Sequence, residues 1–512
     1  MEVVSKPKHQ AAQGSNPRRW LILIVLCLST LVLVIDNMAL SVAVPSLAAN
    51  LDASAQDIQW ILDSYILVFA GLLLTSGSLS DRYGRRRVMI VGLVLFGGAS
   101  LVATLAETSA QLIVARIVMG VGGAMIMPST LSILITVFDA GERRRAMSVW
   151  GAVSMLGLVS SPIIGGALIS HFWWGAIFLI NVPIVVLAVV AALALMPEST
   201  GPWRRPDPLG AVLSVAGMTA LVWTIIELPR HGLTGSATLT TAAVAVIGLV
   251  GFVIWENITP DPMVPLMLFR DRDFSGGSLA LTLVQVGNGG LLLALPLYLQ
   301  SVLGYSPAAA GLAFIPLALA SLMGNTFGAT VGARFGNRAL AVSGLVVMAI
   351  GSVLLASLSA DSDFVMVAIA LFVFGAGGGS AMPAAISALM GAVPPAQAGV
   401  GSALNDTIQQ AGAALGVAIL GSILSSRFSR GLPESAPEQA RHSIGDALAT
   451  AARTGDSALA DTARHAFATA MSGSFLTGTA GIAAAAILAL FVMRGRDAST
   501  HLEDGETSCR TT

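Results

Sequence analysis

Long apolar runs separated by short polar connections repeat along almost the whole chain. They fall at about 20–44, 58–79, 88–106, 110–137, 146–169, 176–196, 208–228, 237–257, 274–299, 308–332, 339–358, 364–391, 399–424 and 469–493. About 20 apolar residues in an α-helix span a bilayer, so this pattern predicts about fourteen transmembrane helices and an all-α membrane protein. The first run follows a polar arm ending in Arg18-Arg19 and is too long for the apolar region of a secretory leader, so it reads as a retained helix. One connection, 425–468, is long and mixes Pro433 and Pro437 with acids and alanines; it is expected to be partly helical and partly flexible.

Composition agrees with the pattern. Hydrophobic residues make up 55% of the 512 positions and charged residues only 11%, with mean hydropathy +0.81. A soluble globular chain carries roughly 25% charge, so that class is excluded. The net charge of −1 conceals a sidedness. Twenty of the 27 Lys and Arg fall in connections on one face, including Arg82 to Arg87 and Arg143 to Arg145; six fall on the other, and Arg116 lies inside a run. Basic residues resist translocation, so the rich face is expected to be cytoplasmic, with both termini there and an even number of helices.

Several chemistries are missing from the sequence. It has no HExxH pattern, no phosphate loop and no CxxC pair, and all six histidines lie outside the apolar runs. Cys27 and Cys509 sit in a membrane run and a polar tail and are not expected to pair. The glycine clusters at 287–290 and 375–379 lie inside apolar runs with no following Lys-Ser/Thr, which makes them packing or flexing points. No metal, organic cofactor or nucleic-acid partner is expected. A weak internal echo is present: Asp81-Arg82-Tyr83-Gly84-Arg85-Arg86 follows the second run, and Ala333-Arg334-Phe335-Gly336-Asn337-Arg338 follows the tenth. Such repeats suggest two related bundles of the kind used for alternating access.

The strongest local signal is Gly77-Ser78-Leu79-Ser80-Asp81-Arg82-Tyr83-Gly84-Arg85-Arg86-Arg87. Gly77 permits close helix approach, Gly84 a tight turn, and Asp81 is placed to accept charge-assisted hydrogen bonds from neighbouring arginines. Topogenic charge alone explains the arginines but not the aspartate and glycines in register. This stretch resembles the loop signature of the major facilitator superfamily. Arg116-Ile-Val-Met-Gly120-Val-Gly122-Gly123-Ala124-Met-Ile-Met-Pro128 resembles its fourth-helix signature, and Gly157-Leu-Val-Ser-Ser161-Pro162-Ile-Ile-Gly165-Gly166 its antiporter signature. Phe178-Leu-Ile-Asn181-Val-Pro183 after Trp174 is similar to the start of the sixth helix in fourteen-helix drug:proton antiporters. One departure is Ser161, where the pattern usually has glycine. The resemblance implies a cytoplasmic arm (1–19), a six-helix bundle (20–196), two additional helices (197–260), a second six-helix bundle (261–493) and a cytoplasmic tail (494–512).

Charges inside the runs are few. Asp36, Asp63 and Asp406 are carboxylates that can load a proton on one face and release it on the other, or pair with a cationic substrate; a helix-packing hydrogen bond or simple solvation is the plainer alternative for each. Arg116 is costly unless paired or facing water, and the resemblance implies that it modulates protonation of a neighbouring carboxylate. Glu227 and Glu256 fall at helix ends, where solvation or a basic neighbour suffices. The resulting expectation is proton-coupled efflux of lipophilic, cationic drugs or antibiotics across a bacterial cytoplasmic membrane. The proton gradient is the energy source, and protons, lipophilic solutes and lipid are the partners of a monomer. The alternative is a dedicated exporter of one endogenous metabolite. A membrane enzyme or sensor would need a nucleophile, metal cluster or signalling domain that the sequence does not contain.

Overall fold

A computed structural model describes residues 18–493 except 52, 54, 202–206, 232–234, 261, 263, 395, 396, 434, 435 and 442. Most of the amino-terminal arm, the Arg204/Arg205 pair and the tail from 494 lie outside the described residues. Inside a bilayer no water can pair with the backbone, so helices that satisfy their own N–H and C=O groups are the available solution for such runs. In chain order they are α1 (Arg19–Asn50), α2 (Ala55–Tyr83), α3 (Arg85–Thr104), α4 (Ser109–Val137), α5 (Ala140–His171), α6 (Ala176–Leu179), α7 (Asn181–Leu195) and α8 (Pro208–His231). There follow α9 (Ser236–Ile258), α10 (Arg272–Leu297), α11 (Pro307–Leu312), α12 (Ile315–Ala356), α13 (Phe364–Gly391), α14 (Ala398–Gly431), α15 (Ile444–Thr454) and α16 (Ser457–Val492).

Thirteen helical segments among the described residues are long and apolar enough to cross a membrane. The 32-residue α5 joins them, since its stretch 146–169 carries no charged side chain. α12 contributes two of these spans. Gly336 interrupts it at φ 86° and ψ 163°, and Gly84 separates α2 from α3 at φ 111°. Positive φ is strained for residues with a β-carbon, so the glycine in each basic turn is what lets the chain reverse there. The internal echo in the sequence therefore has a backbone counterpart.

The connection at 425–468 is mostly helical. α14 continues to Gly431, α15 follows, and α16 begins at Ser457. Capping explains why a polar stretch is so regular: Ser443 Oγ accepts from Asp446 N (3.1 Å) and Asp456 Oδ1 from Leu459 N (3.0 Å), while Gly455 ends α15 at φ 68°. The inner face of α15 buries Ile444, Ala447 and Ala451. Hydropathy registers neither caps nor a short amphipathic helix, so it stops both flanking helices too early.

α1 to α7 pack on one another, with α1 on α5 and α7, α2 on α4, and α3 on α4 and α7. α10, α12, α13, α14 and α16 form a second bundle. The two meet where α14 lies against α2 and α4 and where α12 lies against α5. α8 and α9 pair with each other, and α8 also rests on α2 and α14.

α12 packs closely on α13. A β-carbon built at Gly377 collides with the backbone nitrogen of Met348 and comes within 2.6 Å of the Gly344 carbonyl oxygen, whereas one built at Gly98 meets nothing within 4 Å. Packing between membrane helices depends on such small residues. Gly377→Ala is therefore expected to destabilise the detergent-solubilised protein by about 1–3 kcal/mol, the usual overpacking range. Gly98→Ala should be neutral, and thermal unfolding of both variants checks the contrast.

Candidate functional site

Arg116 and Asp36 are drawn together in the interior of the first bundle. The two side chains are 1% exposed, and Nη1 of Arg116 donates to Oδ2 of Asp36 at 2.5 Å. Four further groups complete the surroundings. Nε of Arg116 donates to the Ile61 carbonyl at 3.2 Å, and the guanidinium lies 4.4 Å from the centre of the Tyr65 ring. Asn181 Nδ2 donates to Asp36 Oδ1 at 2.9 Å and to Ser100 Oγ at 3.2 Å. Helices α1, α2, α3, α4 and α7 thus converge on one ion pair. Each carboxylate oxygen of Asp36 accepts from a donor on another helix, which ties α1 to α4 through Arg116 and to α7 through Asn181. Asp63, half-buried, follows Ile61 by two residues on α2.

Between the bundles lies a cavity of about 270 Å³, lined from α1, α4 and α5 on one side and from α10, α12, α13 and α14 on the other. Its wall is largely apolar, with Met127, Met147, Met382, Trp150 and Phe374, and Trp150 is fixed by a 2.8 Å hydrogen bond from Nε1 to Thr30 Oγ1. Methionine adapts its shape and aromatic rings supply broad faces, a combination suited to varied lipophilic ligands. A chain of amides crosses the same wall. Asn288 Nδ2 donates to Gln285 Oε1 (2.9 Å), and Gln285 Nε2 donates to Gln409 Oε1 (3.3 Å), tying α10 to α14.

Among the described residues no charged side chain lines this cavity, but two carboxylates lie close to lining residues along the chain. Asp36 lies two residues from the lining Val34, and Asp406 three residues from the lining Gln409. Asp406 is 2% exposed; Asn405 Nδ2 donates to its Oδ1 at 3.0 Å, while Oδ2 has no hydrogen-bond partner among the described residues. It belongs to the second bundle, away from the Asp36–Arg116 pair.

A third feature ties the two bundles together at the arginine-rich turn. Asp81, at the end of α2, accepts from Arg85 Nε and Nη2 at 2.9 and 2.7 Å. Its carboxylate also accepts from the backbone nitrogens of Gly399 (2.9 Å) and Val400 (3.1 Å), the first turn of α14. The residue preceding α14, Gln397, makes no side-chain cap of its own. Asp81 therefore caps a helix of the opposite bundle, where the exposed N–H groups and the helix dipole favour a negative charge. Close contact makes this possible: a β-carbon at Gly77 would lie 2.6 Å from the Gly399 carbonyl oxygen. Arg82 stacks on Tyr83 at 5.0 Å, and Arg86 turns its Nη1 to the Met196 carbonyl at 2.7 Å.

The antiporter-like stretch lies on α5. Gly157 packs on α1, where a β-carbon would come within 2.8 Å of Leu31, and the Ser161 hydroxyl donates to the Gly157 carbonyl. Gly165 is buried, and a β-carbon at Gly166 would meet nothing within 4 Å. Pro162 falls within α5. Asn181, Ser100, Gln285, Asn288 and Gln409 were not singled out by charge. Their signal in the sequence is the same as that of the acids, a polar side chain inside an apolar run.

These observations define a multi-pass membrane transporter: two helical bundles, a cavity between them, a buried ion pair and a tie between the bundles at the arginine-rich end. The chain belongs to the Major Facilitator Superfamily, which it matches over residues 26–417. It is 36% identical to a multidrug efflux pump, LfrA, of Mycolicibacterium smegmatis, over 93% of this chain and 96% of that one. It is 32% identical to the tetracenomycin C resistance and export protein of Streptomyces glaucescens, over 83% and 80% of the two chains. In fold it resembles the human organic anion transporter MFSD10, with TM-score 0.59 and 15% identity over 91% of this chain and all of that one.

Removing one partner of a buried pair leaves an uncompensated charge. Asp36→Asn and Arg116→Met are each expected to cost about 3–5 kcal/mol of stability, and the double variant clearly less than their sum. Thermal unfolding in detergent, arranged as a double-mutant cycle, measures that coupling.

Proposed function

We propose that this protein exports lipophilic, cationic or amphipathic compounds in exchange for protons, by rocking of two bundles around the central cavity. The observation that carries the reading is a cavity shared by both bundles, with buried Asp36 and Asp406 a turn or less along the chain from lining residues and with Asp81 tying the bundles together at α14. The basic face is assigned to the cytoplasm, and with it both termini, because arginine-rich connections resist translocation. The cavity would then take up solute from the inner face when the Asp81 cap is released and discharge it outward when the cap is made.

In this reading Asp36 is the proton carrier. Protonation dissolves its ion pair with Arg116, and release restores it, so the proton state and the packing of α1 against α4 change together. Asp406 supplies negative charge beside the uncharged cavity wall for a cationic solute. The protein acts as a monomer without a metal or organic cofactor. A proton moving inward down an electrochemical gradient of roughly 150–200 mV supplies about 3.5–4.6 kcal/mol. At about 1.4 kcal/mol per tenfold, that sustains a gradient of a few hundredfold to about two thousandfold for a neutral solute.

Export of one endogenous compound is the second reading. It is favoured by similarity to a relative named for a single antibiotic, alongside one named for many drugs.

Energised vesicles loaded with a panel of cationic, neutral and anionic compounds test both readings. Export of several unrelated cations, abolished by a protonophore, is the expected result; a single exported compound would establish the dedicated reading. Export that continues unchanged in a de-energised membrane would overturn proton coupling. Asp36→Asn should lose the proton-driven component, and Asp406→Asn should weaken cationic substrates more than neutral ones. Wild-type transport by both variants at normal expression would make these carboxylates structural.

A further inference from the structure

Among the described residues, none of α8, α9 or the connection at 196–201 lines the cavity. Part of that segment is nevertheless bound closely to the turn that carries Asp81. Glu198 Oε1 accepts from the backbone nitrogen of Arg86 at 3.1 Å, and Oε2 from that of Arg87 at 3.2 Å. Ser199 supplies its carbonyl to the nitrogen of Arg85 at 2.9 Å, and Gly201 donates its nitrogen to the Asp81 carbonyl at 2.7 Å. The Arg86 side chain bonds Met196 O at 2.7 Å, and the guanidinium groups of Arg86 and Arg87 approach Glu198 at 3.8 and 3.6 Å.

Each of these contacts has a physical reason to exist. α3 starts after Gly84, which has no side chain with which to cap it. The first N–H groups of a helix need acceptors, and Glu198 and Ser199 provide them from more than a hundred residues away. A carboxylate is the best group for the position, because the helix dipole and two arginines all favour negative charge. The glycine is required for closeness as well as for its positive φ, since a β-carbon there would stand 2.7 Å from the Glu198 carboxyl group.

We infer that Glu198 is a positioning residue of the gate: by capping Arg86 and Arg87 at the start of α3, beside the Ser199 carbonyl that holds the Arg85 nitrogen, it fixes the turn from which the Arg85 side chain holds Asp81 on the first turn of α14. The chain of contacts runs from Glu198 and Ser199 through Arg85 and Asp81 to Gly399 and Val400. α8 extends the same support. It packs on α2 through Trp223 against Trp60 (centroids 5.4 Å apart, edge to face), and through Thr219 against Gly71, while also touching α14. The two additional helices thus brace the sealed arrangement of α2 and α14 and do not merely join two bundles.

This inference rests on the alternating-access reading, and its test needs neither substrate nor gradient, so the two can fail separately. Ala403 of α14 is fully buried against Gly77 of α2, where a β-carbon built on the glycine would collide with it, so a thiol there reports whether the seal is open. Ala403→Cys is made with Cys27 and Cys509 replaced by serine, and labelled by a membrane-impermeant maleimide in inside-out vesicles. Adding Glu198→Ala should raise the labelling rate about tenfold, equivalent to about 1.4 kcal/mol. Glu198→Gln, of the same size with one acceptor oxygen, should raise it by an intermediate factor of about threefold. If Glu198→Ala does not insert, Glu198→Gln alone decides. Labelling at the unsubstituted rate in correctly inserted variants overturns the inference, even where thermal stability falls.

Discussion

A charge or an unpaired N–H group taken out of water must be met by a partner, and in a bundle this poor in charge the partners have to come from other helices. Asp36 is answered by Arg116 and Asn181, Asp81 by Arg85 and the first turn of α14, and Glu198 by the first turn of α3. Apart from Asp81 with Arg85, each of these is a tie between segments distant in the chain. The rest of the architecture hangs on them, because apolar surfaces in lipid give helices little preference for one neighbour over another.

Two of the ties share a design. α3 and α14 begin without a side-chain cap of their own, and each receives a carboxylate from elsewhere. Within the first bundle and its extension the tie joins Glu198 to the start of α3. Between bundles the backbone nitrogens of Gly399 and Val400 donate to the Asp81 carboxylate, which also accepts from Arg85, so its charge has a second partner besides the opposite bundle. A transporter needs a closure of this kind, strong enough to seal and light enough to open.

Much of this was legible in the chain. Apolar runs of membrane-spanning length gave the helices, the repeated basic turns pointed to two bundles, and Gly84 and Gly336 have the positive φ that their place in those turns suggests. Intramembrane charge drew attention to Asp36, Arg116 and Asp406. Neutral polar groups were harder to rank: Asn181, Gln285 and Gln409 matter through what they bond, and a lone amide in an apolar run looks the same whether it bridges two helices or faces a neighbour's backbone. Glu198 had no signal, being one acid in a polar connection.

The sequence by itself determined where helices run and which face is basic, because hydrophobicity and topogenic charge act locally and add along the chain. It also determined the residue types from which a site could be built. Only the tertiary structure decided the pairings: that Asp36 meets Arg116 while Asp406 does not, that amides from α10 and α14 join across the cavity, and that a carboxylate after α7 caps α3. Those outcomes depend on distances between segments separated by up to several hundred residues, and the strength of a hydrogen bond or ion pair falls away within a few ångströms.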